Sequence, residues 1–307
     1  MSARCRNTLP SCRLPPVPEQ QARGNHDAVP GRALFGARLR AAMDARGPLC
    51  VGIDPHPALL AAWGLNDDAA GLERFSLTVL EAVGEQAAAL KPQVALYERH
   101  GSAGMAVLEK LLAACTGAGV LSIADAKRGD IGSTMAAYAD AWLRNGSPLA
   151  ADSVTLSPYL GFESLRPALD LAAETGRGVF VLGLTSNPEG ASVQHVGADR
   201  SVAARIVDSA AAENSAAGTL GSTGLVIGAT VGTALADLGI NLAAANAPIL
   251  APGLGAQGAT GEDLRRTFGA AYANVLATSS RDILKAGPDR ASLQAAAART
   301  LEGLPRA

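Results

Sequence analysis

Short apolar segments of strand length alternate with longer Ala- and Leu-rich segments along most of the chain. The strand-length segments lie at 49–53, 88–90, 120–124, 153–156, 178–183, 224–229, 248–251 and 273–277. The stretches between them are long enough for helices and predict them at 72–85, 104–118, 135–144, 163–174 and 202–212. Eight strand–helix units in about 270 residues favour a single (β/α)8 barrel, the TIM-barrel fold, over an open doubly wound sheet.

The first 32 residues lie outside this alternation. They contain five prolines and five arginines, but only two acidic residues and little periodicity. We therefore expect a disordered tail at 1–32, with an Arg-rich transit peptide or a start mis-assigned upstream as alternatives. The barrel domain is expected over 33–307, and an amphipathic helix at 33–46 leads into it.

Composition narrows the classes of function. The chain is 48% hydrophobic and 18% charged, with a formal net charge of −2, as is usual for globular proteins, and it offers no basic patch for nucleic acid. No apolar run approaches the roughly 18 residues of a membrane span. The four cysteines are scattered, which predicts a reducing compartment, and we expect the cytoplasm. No metal-ligand motif occurs, so we expect chemistry without a metal ion.

A burst of charge follows the third apolar run, at Asp125, Lys127, Arg128 and Asp130. Asp125 and Lys127 are two residues apart, so on an extended backbone their side chains point to the same side. A bare D-x-K pattern is more often part of a solvated loop. Lysine is scarce here, however, because 26 cations include only four lysines, at positions 91, 110, 127 and 285. An ammonium can donate a proton whereas a guanidinium cannot, so Lys127 is a candidate general acid.

Polar or glycine-rich residues follow all eight predicted strands. In a (β/α)8 barrel the active site is formed at these carboxyl ends. The residues are Asp54, Lys91, Asp125 with Lys127, Ser157, the stretch 185–187, Thr230, the stretch 252–258 and the stretch 278–281.

The last two of these stretches predict a phosphate site. A glycine-rich turn follows the seventh strand and Arg281 follows the eighth, an arrangement that offers backbone N–H groups and a cation to an anion. The alternative is a plain tight turn with an arginine on the surface. We expect a phosphorylated substrate.

Several motifs carry a resemblance to a known family. They are VGIDPHP (51–57), KPQ (91–93), DAKRGDIGST (125–134), SPYLGF (157–162), TSNPEG (185–190), GAT (228–230), APGLGAQG (251–258) and SRDILKAGP (280–288). With them, residues 35 to 301 resemble the orotidine 5′-phosphate decarboxylase family, in its longer bacterial (type 2) subgroup. The resemblance implies conversion of orotidine 5′-phosphate to uridine 5′-phosphate, the last step of de novo UMP synthesis, by a homodimer of barrels without a cofactor.

The resemblance also implies catalytic roles for matching positions. Lys127 is the expected proton donor to C6 of the pyrimidine. Lys91, Asp125 and Asp130 would complete an alternating Lys-Asp-Lys-Asp network around it. Asp130 and Thr134 would reach into the site of the partner subunit.

Substrate-binding roles follow in the same way. Asp54 is expected to bind the ribose. Ser186 and the segment at Pro188 would meet the pyrimidine ring. Gln257 and Arg281 would hold the phosphate.

Two other functions compete with this one. A metal-dependent sugar-phosphate lyase on a related barrel can also carry D-x-K-x-x-D at the third strand, but the missing metal ligands and the TSNPEG loop argue against it. A catalytically silent nucleotide-binding protein would be expected to lack one of Lys91, Asp125, Lys127 and Asp130, whereas all four are present.

Overall fold

The structure is a computed structural model that describes residues 32–197, 200–255 and 258–305. Eight parallel strands follow one another around a closed barrel, and β8 pairs with β1 to complete it. The strands are β1 (Leu49–Ile53), β2 (Ala89–Pro92), β3 (Leu121–Arg128), β4 (Ser153–Leu156), β5 (Gly178–Leu184), β6 (Thr223–Ile227), β7 (Ile249–Pro252) and β8 (Val275–Ser279). The predicted TIM barrel is confirmed.

Helices follow the strands and form the outer layer. They are α1 (Phe35–Arg46), α2 (Pro57–Ala62), α3 (Ala69–Val83), α4 (Ala95–Glu98), α5 (Gly101–Gly117), α6 (Gly132–Leu143), α7 (Arg166–Thr175), α8 (Ala191–Gln194), α9 (Val202–Glu213), α10 (Ala234–Asp237), α11 (Gly261–Phe268), α12 (Arg281–Leu284) and α13 (Arg290–Glu302).

Several predicted bounds differ from the observed ones by one to three residues, and two elements differ more. The helix expected at 163–174 is divided into a 3₁₀ turn, Phe162–Leu165, and α7. Pro167 lies in the first turn of α7, and because it lacks an N–H it suits a helix start but not an interior position. The third strand, expected to end at residue 124, continues to Arg128.

Helix α3 shows how the outer layer is held. Asp68 caps its start by accepting a hydrogen bond from the Gly71 amide at 2.8 Å. The helix buries Leu72, Phe75 and Val79 and packs against α5 and α13. Each such side chain contributes about 1.5–3 kcal/mol on full burial, so this face holds the helix in the outer layer.

Helix α1 covers the amino-terminal end of the barrel. Phe35 and Leu39 are completely buried and pack with side chains of the barrel interior, including Ile123 and Phe180. The rings of Phe35 and Phe180 meet edge to face, with centroids 5.9 Å apart. The expected helix at 33–46 is therefore present and closes the end of the barrel opposite the carboxyl ends of the strands.

Asp152, just before β4, ties α1 to the barrel. Its Oδ1 accepts hydrogen bonds from Arg38 at 2.6 Å and from Arg32. Its Oδ2 accepts from the Ser122 amide at 3.0 Å and the Ser122 hydroxyl at 3.2 Å. Burial alone would raise the pKa of this carboxyl, but the hydrogen bonds and charges of the two arginines hold the pKa below its usual value.

The division of the chain at residue 32 stays a prediction, because residues 1–31, where the disordered tail is expected, lie outside the described ranges. No helix within those ranges combines the length and hydropathy needed to cross a membrane.

We expect Asp152→Asn to lower the free energy of unfolding by about 3 kcal/mol, because it leaves Arg38 without its charge partner in a largely buried setting. Urea titration measures this. The matched control is Asp170→Asn, since Asp170 is exposed and lies 3.6 Å from Arg166, and its loss should be below about 1 kcal/mol. Equal effects of the two substitutions would contradict the role of Asp152.

The same substitution has a predicted pH dependence. A lowered folded pKa means that the stability from the Asp152 carboxylate is present above the unfolded value, about 3.9, and is lost as the pH falls through the folded value. The difference between wild type and Asp152→Asn should therefore narrow below about pH 4.

Candidate active site

A cavity of about 550 Å³ opens at the carboxyl ends of the strands. Its walls are formed by side chains from β1, β2, β3, β5, β6, β7 and β8 and the loops after them. Six of the ten predicted site residues line it: Asp54, Lys91, Asp125, Lys127, Ser186 and Arg281. Most of the polar residues expected after the strands therefore converge on one place, although Ser157 and Thr230 do not line the cavity.

A single carboxylate joins the two lysines of this cavity. Asp125 accepts a hydrogen bond from Lys91 Nζ on Oδ2 at 2.8 Å and from Lys127 Nζ on Oδ1 at 2.6 Å. Lys91 and Asp125 are 4% and 7% exposed, whereas the side chain of Lys127 is 46% exposed. Of the three, Lys127 is the group most open to a bound molecule.

Two neutral side chains complete the surroundings of Asp125. Thr155 donates to Oδ1 at 3.0 Å and Gln93 donates to Oδ2 at 3.2 Å. The carboxylate thus receives four hydrogen bonds, two of them from ammonium groups, so its orientation is tightly determined.

Lys91 and Asp125 stabilise each other's charged forms. Burial would raise the pKa of Asp125, but the ammonium groups of Lys91 and Lys127 outweigh it and hold that pKa well below the usual range. Burial would lower the pKa of Lys91, but the carboxylates of Asp125 and Asp54 raise it above the usual value. Near neutral pH, Lys91 is therefore a cation and Asp125 an anion.

An irregularity in β3 brings Asp125 and Lys127 together. The pairing with β4 runs from Ala124 opposite Val154 directly to Arg128 opposite Leu156. Lys127 has φ 49°, in the left-handed region, which costs a non-glycine residue about 1–2 kcal/mol. The prediction that the two side chains share one side holds, but through a bulge rather than through the regular alternation of an extended strand.

Asp54 forms a second polar corner of the cavity. Ser280 donates a hydrogen bond to Asp54 Oδ2 at 2.5 Å. Oδ1 is buried and has no hydrogen-bond partner among the described residues. Gly52 leaves room for this pair, since a Cβ there would lie 2.8 Å from the Ser280 Cβ. An unpaired buried carboxylate oxygen is a ready acceptor for a ligand hydroxyl.

The predicted anion site lies after β7 and β8. Arg281 begins α12 and its guanidinium makes no hydrogen bond to any residue that the structure describes. The neighbouring turn includes Gly253 and Gly255, with φ 121° and 74°, backbone conformations that favour glycine. Gln257, predicted beside them, lies outside the described residues.

The loop after β5 contributes Ser186 and Asn187 to the cavity. Gln194 holds this loop by accepting from the Thr185 amide at 2.9 Å. Pro188, predicted to contact the ligand, starts a 3₁₀ turn next to these residues and does not line the cavity.

Asp130 and Thr134 do not line the cavity of their own chain. Asp130 accepts a hydrogen bond from the Ile131 amide at 2.8 Å, and no hydrogen bond or ion pair within the described ranges links it to Lys91 or Lys127. Thr134 is exposed in the first turn of α6.

Three polar side chains at the site were not singled out from the sequence. His56 and Gln93 line the cavity, and Thr155 contacts Asp125 from β4. Gln93 follows Lys91 by two residues, so the period of two along a strand was a signal that could have found it. Thr155 carried no comparable signal, because its contact depends on how β3 and β4 are paired.

No group of three or more His, Cys, Asp or Glu side chains is arranged to hold a metal ion in residues 32–197, 200–255 and 258–305. The fold and the cavity thus define a (β/α)8-barrel enzyme whose charged groups at the site are lysines, aspartates and an arginine.

Comparisons with known proteins identify the family. Residues 47–296 match the model of the orotidine 5′-phosphate decarboxylase / HUMPS family. A Streptomyces coelicolor protein named orotidine 5′-phosphate decarboxylase is 59% identical over 268 residues, which cover 86% of this chain and 95% of that protein. The chain belongs to the orotidine 5′-phosphate decarboxylase family.

Solved structures agree with this assignment. A crystal structure from Streptomyces avermitilis, described as an orotidine 5′-phosphate decarboxylase, is 59% identical with a TM-score of 0.85 and covers 89% of this chain and 95% of its own. The OMP decarboxylase of Leishmania donovani is 31% identical with a TM-score of 0.70, covering 88% of this chain and 96% of its own. Neither supports a metal-dependent sugar-phosphate lyase.

Proposed function

We propose that this chain decarboxylates orotidine 5′-phosphate to uridine 5′-phosphate, the last step of de novo UMP synthesis, with Lys127 as proton donor and without a cofactor. Family membership and the names of its relatives support the reaction. The observation that carries the mechanism is the carboxylate of Asp125 held between Lys91 and Lys127 at the cavity wall.

The chemistry explains why an ammonium is needed. Loss of CO2 from C6 leaves a carbanion in the plane of the ring, where the π system cannot delocalise its charge. A cation beside C6 stabilises that charge and then delivers the proton. Lys127 is suited to this because its Nζ is held by Asp125 and its side chain is open to the cavity.

One lysine cannot supply the whole rate enhancement. A charge pair at 4 Å is worth roughly 4 kcal/mol at an effective dielectric of 20. The slowest reactions need a barrier reduction above about 20 kcal/mol. The remainder must come from charges that are in position before the reaction starts and from binding energy of the rest of the nucleotide.

The binding roles are assigned by chemistry and resemblance together. The unpaired Oδ1 of Asp54 suits a ribose hydroxyl, and the guanidinium of Arg281 suits the phosphate. Ser186 and the segment at Pro188 are assigned to the pyrimidine. Gln257 is assigned to the phosphate from the resemblance alone.

The purified protein should convert orotidine 5′-phosphate to uridine 5′-phosphate in buffer with excess EDTA. Ultraviolet absorbance follows the reaction, because removing the carboxylate changes the pyrimidine chromophore. Turnover that EDTA abolishes and Mg²⁺ restores would contradict the cofactor-free mechanism, and a lack of turnover with and without metal would contradict the function.

We also propose a homodimer in which Asp130 and Thr134 act in the partner's site. Both lie outside the cavity of their own chain. Ile131, Tyr159 and Leu160 follow β3 and β4 on the same side of the barrel and are 61%, 82% and 54% exposed. Large apolar side chains exposed together favour a protein interface, and one at this end of the barrel would bring a second copy to the cavity.

A mixing experiment tests the shared site. Lys127→Ala and Asp130→Ala should each be inactive as homodimers. A random equimolar mixture makes half of the dimers mixed, and each mixed dimer has one intact site, so about a quarter of wild-type activity should return. Absence of recovery, with subunit exchange confirmed by differently tagged chains, would contradict the shared site.

We place the enzyme in the cytoplasm. Cys50 and Cys115 are free and buried, which suits a reducing compartment.

A further inference from the structure

We infer that Thr155 is a positioning residue for the proton donor, acting on Lys127 and Asp125 without touching the substrate. The inference rests on the proposed function and extends it to a residue of β4. The hydroxyl of Thr155 donates to Asp125 Oδ1 at 3.0 Å and accepts from the backbone amide of Lys127 at 2.9 Å.

The bulge in β3 creates the need for this hydroxyl. Four residue steps on β3, from Ala124 to Arg128, face only two steps on β4, from Val154 to Leu156. Regular ladder bonds to β4 cannot form throughout such a segment, so its amides need other partners. Thr155 is the β4 residue in the middle of that gap and supplies an acceptor for the Lys127 amide.

The two hydrogen bonds of the Thr155 hydroxyl link the backbone of Lys127 to the carboxylate that binds its ammonium group. Lys127 Nζ donates to the same Oδ1 of Asp125 that receives the Thr155 hydroxyl. One hydroxyl therefore holds the backbone end of Lys127, which is in a left-handed conformation, and the carboxylate that holds its ammonium end. Lys91 binds the other oxygen, Oδ2, so Thr155 acts on the Lys127 side of the network.

The burial of Thr155 distinguishes a positioning role from a role in substrate binding. Thr155 is 1% exposed and is not among the residues that line the cavity. A change confined to its hydroxyl should therefore alter the position of the Lys127 ammonium and leave the nucleotide contacts in place. Small displacements of a reacting group can lower a rate by about 100-fold, so the effect should appear in kcat.

The experiment compares Thr155→Val, which keeps the branched shape without the hydroxyl, with Thr155→Ser, which keeps the hydroxyl. The matched control is Thr175→Val, because Thr175 is also buried but its hydroxyl donates to the Leu171 carbonyl within α7. Steady-state kinetics with orotidine 5′-phosphate gives kcat and KM, and UMP titration counts folded sites. Thr155→Ala replaces Thr155→Val if the latter does not fold.

We expect Thr155→Val to lower kcat per UMP-binding site by about 10- to 100-fold, with KM and the UMP Kd within about threefold of wild type. Thr155→Ser and Thr175→Val should stay within about threefold of wild-type kcat. The inference is overturned if Thr155→Val keeps wild-type kcat per site, or if Thr155→Ser is as slow as Thr155→Val. An inactive wild type would instead contradict the proposed function.

Discussion

The sharing of one carboxylate between two ammonium groups is the interaction on which this site depends. Removing a charge from water costs several kcal/mol, so a buried lysine stays charged only beside a compensating charge. Asp125 supplies that charge to Lys91, which is 4% exposed, and also draws Lys127 into the cavity. The two lysines come from β2 and β3, so the network can form only when the barrel aligns those strands correctly.

In the mechanism that we propose, these side chains stabilise a localised carbanion because their charges are already in place. Dipoles and charges that are already oriented need no reorganisation when charge develops in the transition state. Asp125 receives four hydrogen bonds, and the low pKa imposed by its neighbours keeps it ionised. The left-handed backbone conformation at Lys127 costs free energy, and the hydrogen bonds that the bulge makes possible offset that cost.

The fold was predictable because its signals are local. Apolar runs of strand length marked all eight strands, and polar residues after them marked most of the cavity wall. The bulge in β3 was not predictable, since it depends on pairing with β4, and with it the contacts of Thr155 were missed. Asp130 shows a different limit, because it does not line the cavity of its own chain, and the role that we propose for it needs a second chain.

The turnover of Asp125→Asn tests the central role of the shared carboxylate most directly. Asparagine keeps the shape of the side chain and removes its charge, worth roughly 4 kcal/mol to an ammonium at 4 Å. At saturating orotidine 5′-phosphate, with sites counted by UMP binding, kcat should fall at least about 10³-fold. A kcat within tenfold of wild type would show that the charge of Asp125 does not control the reaction.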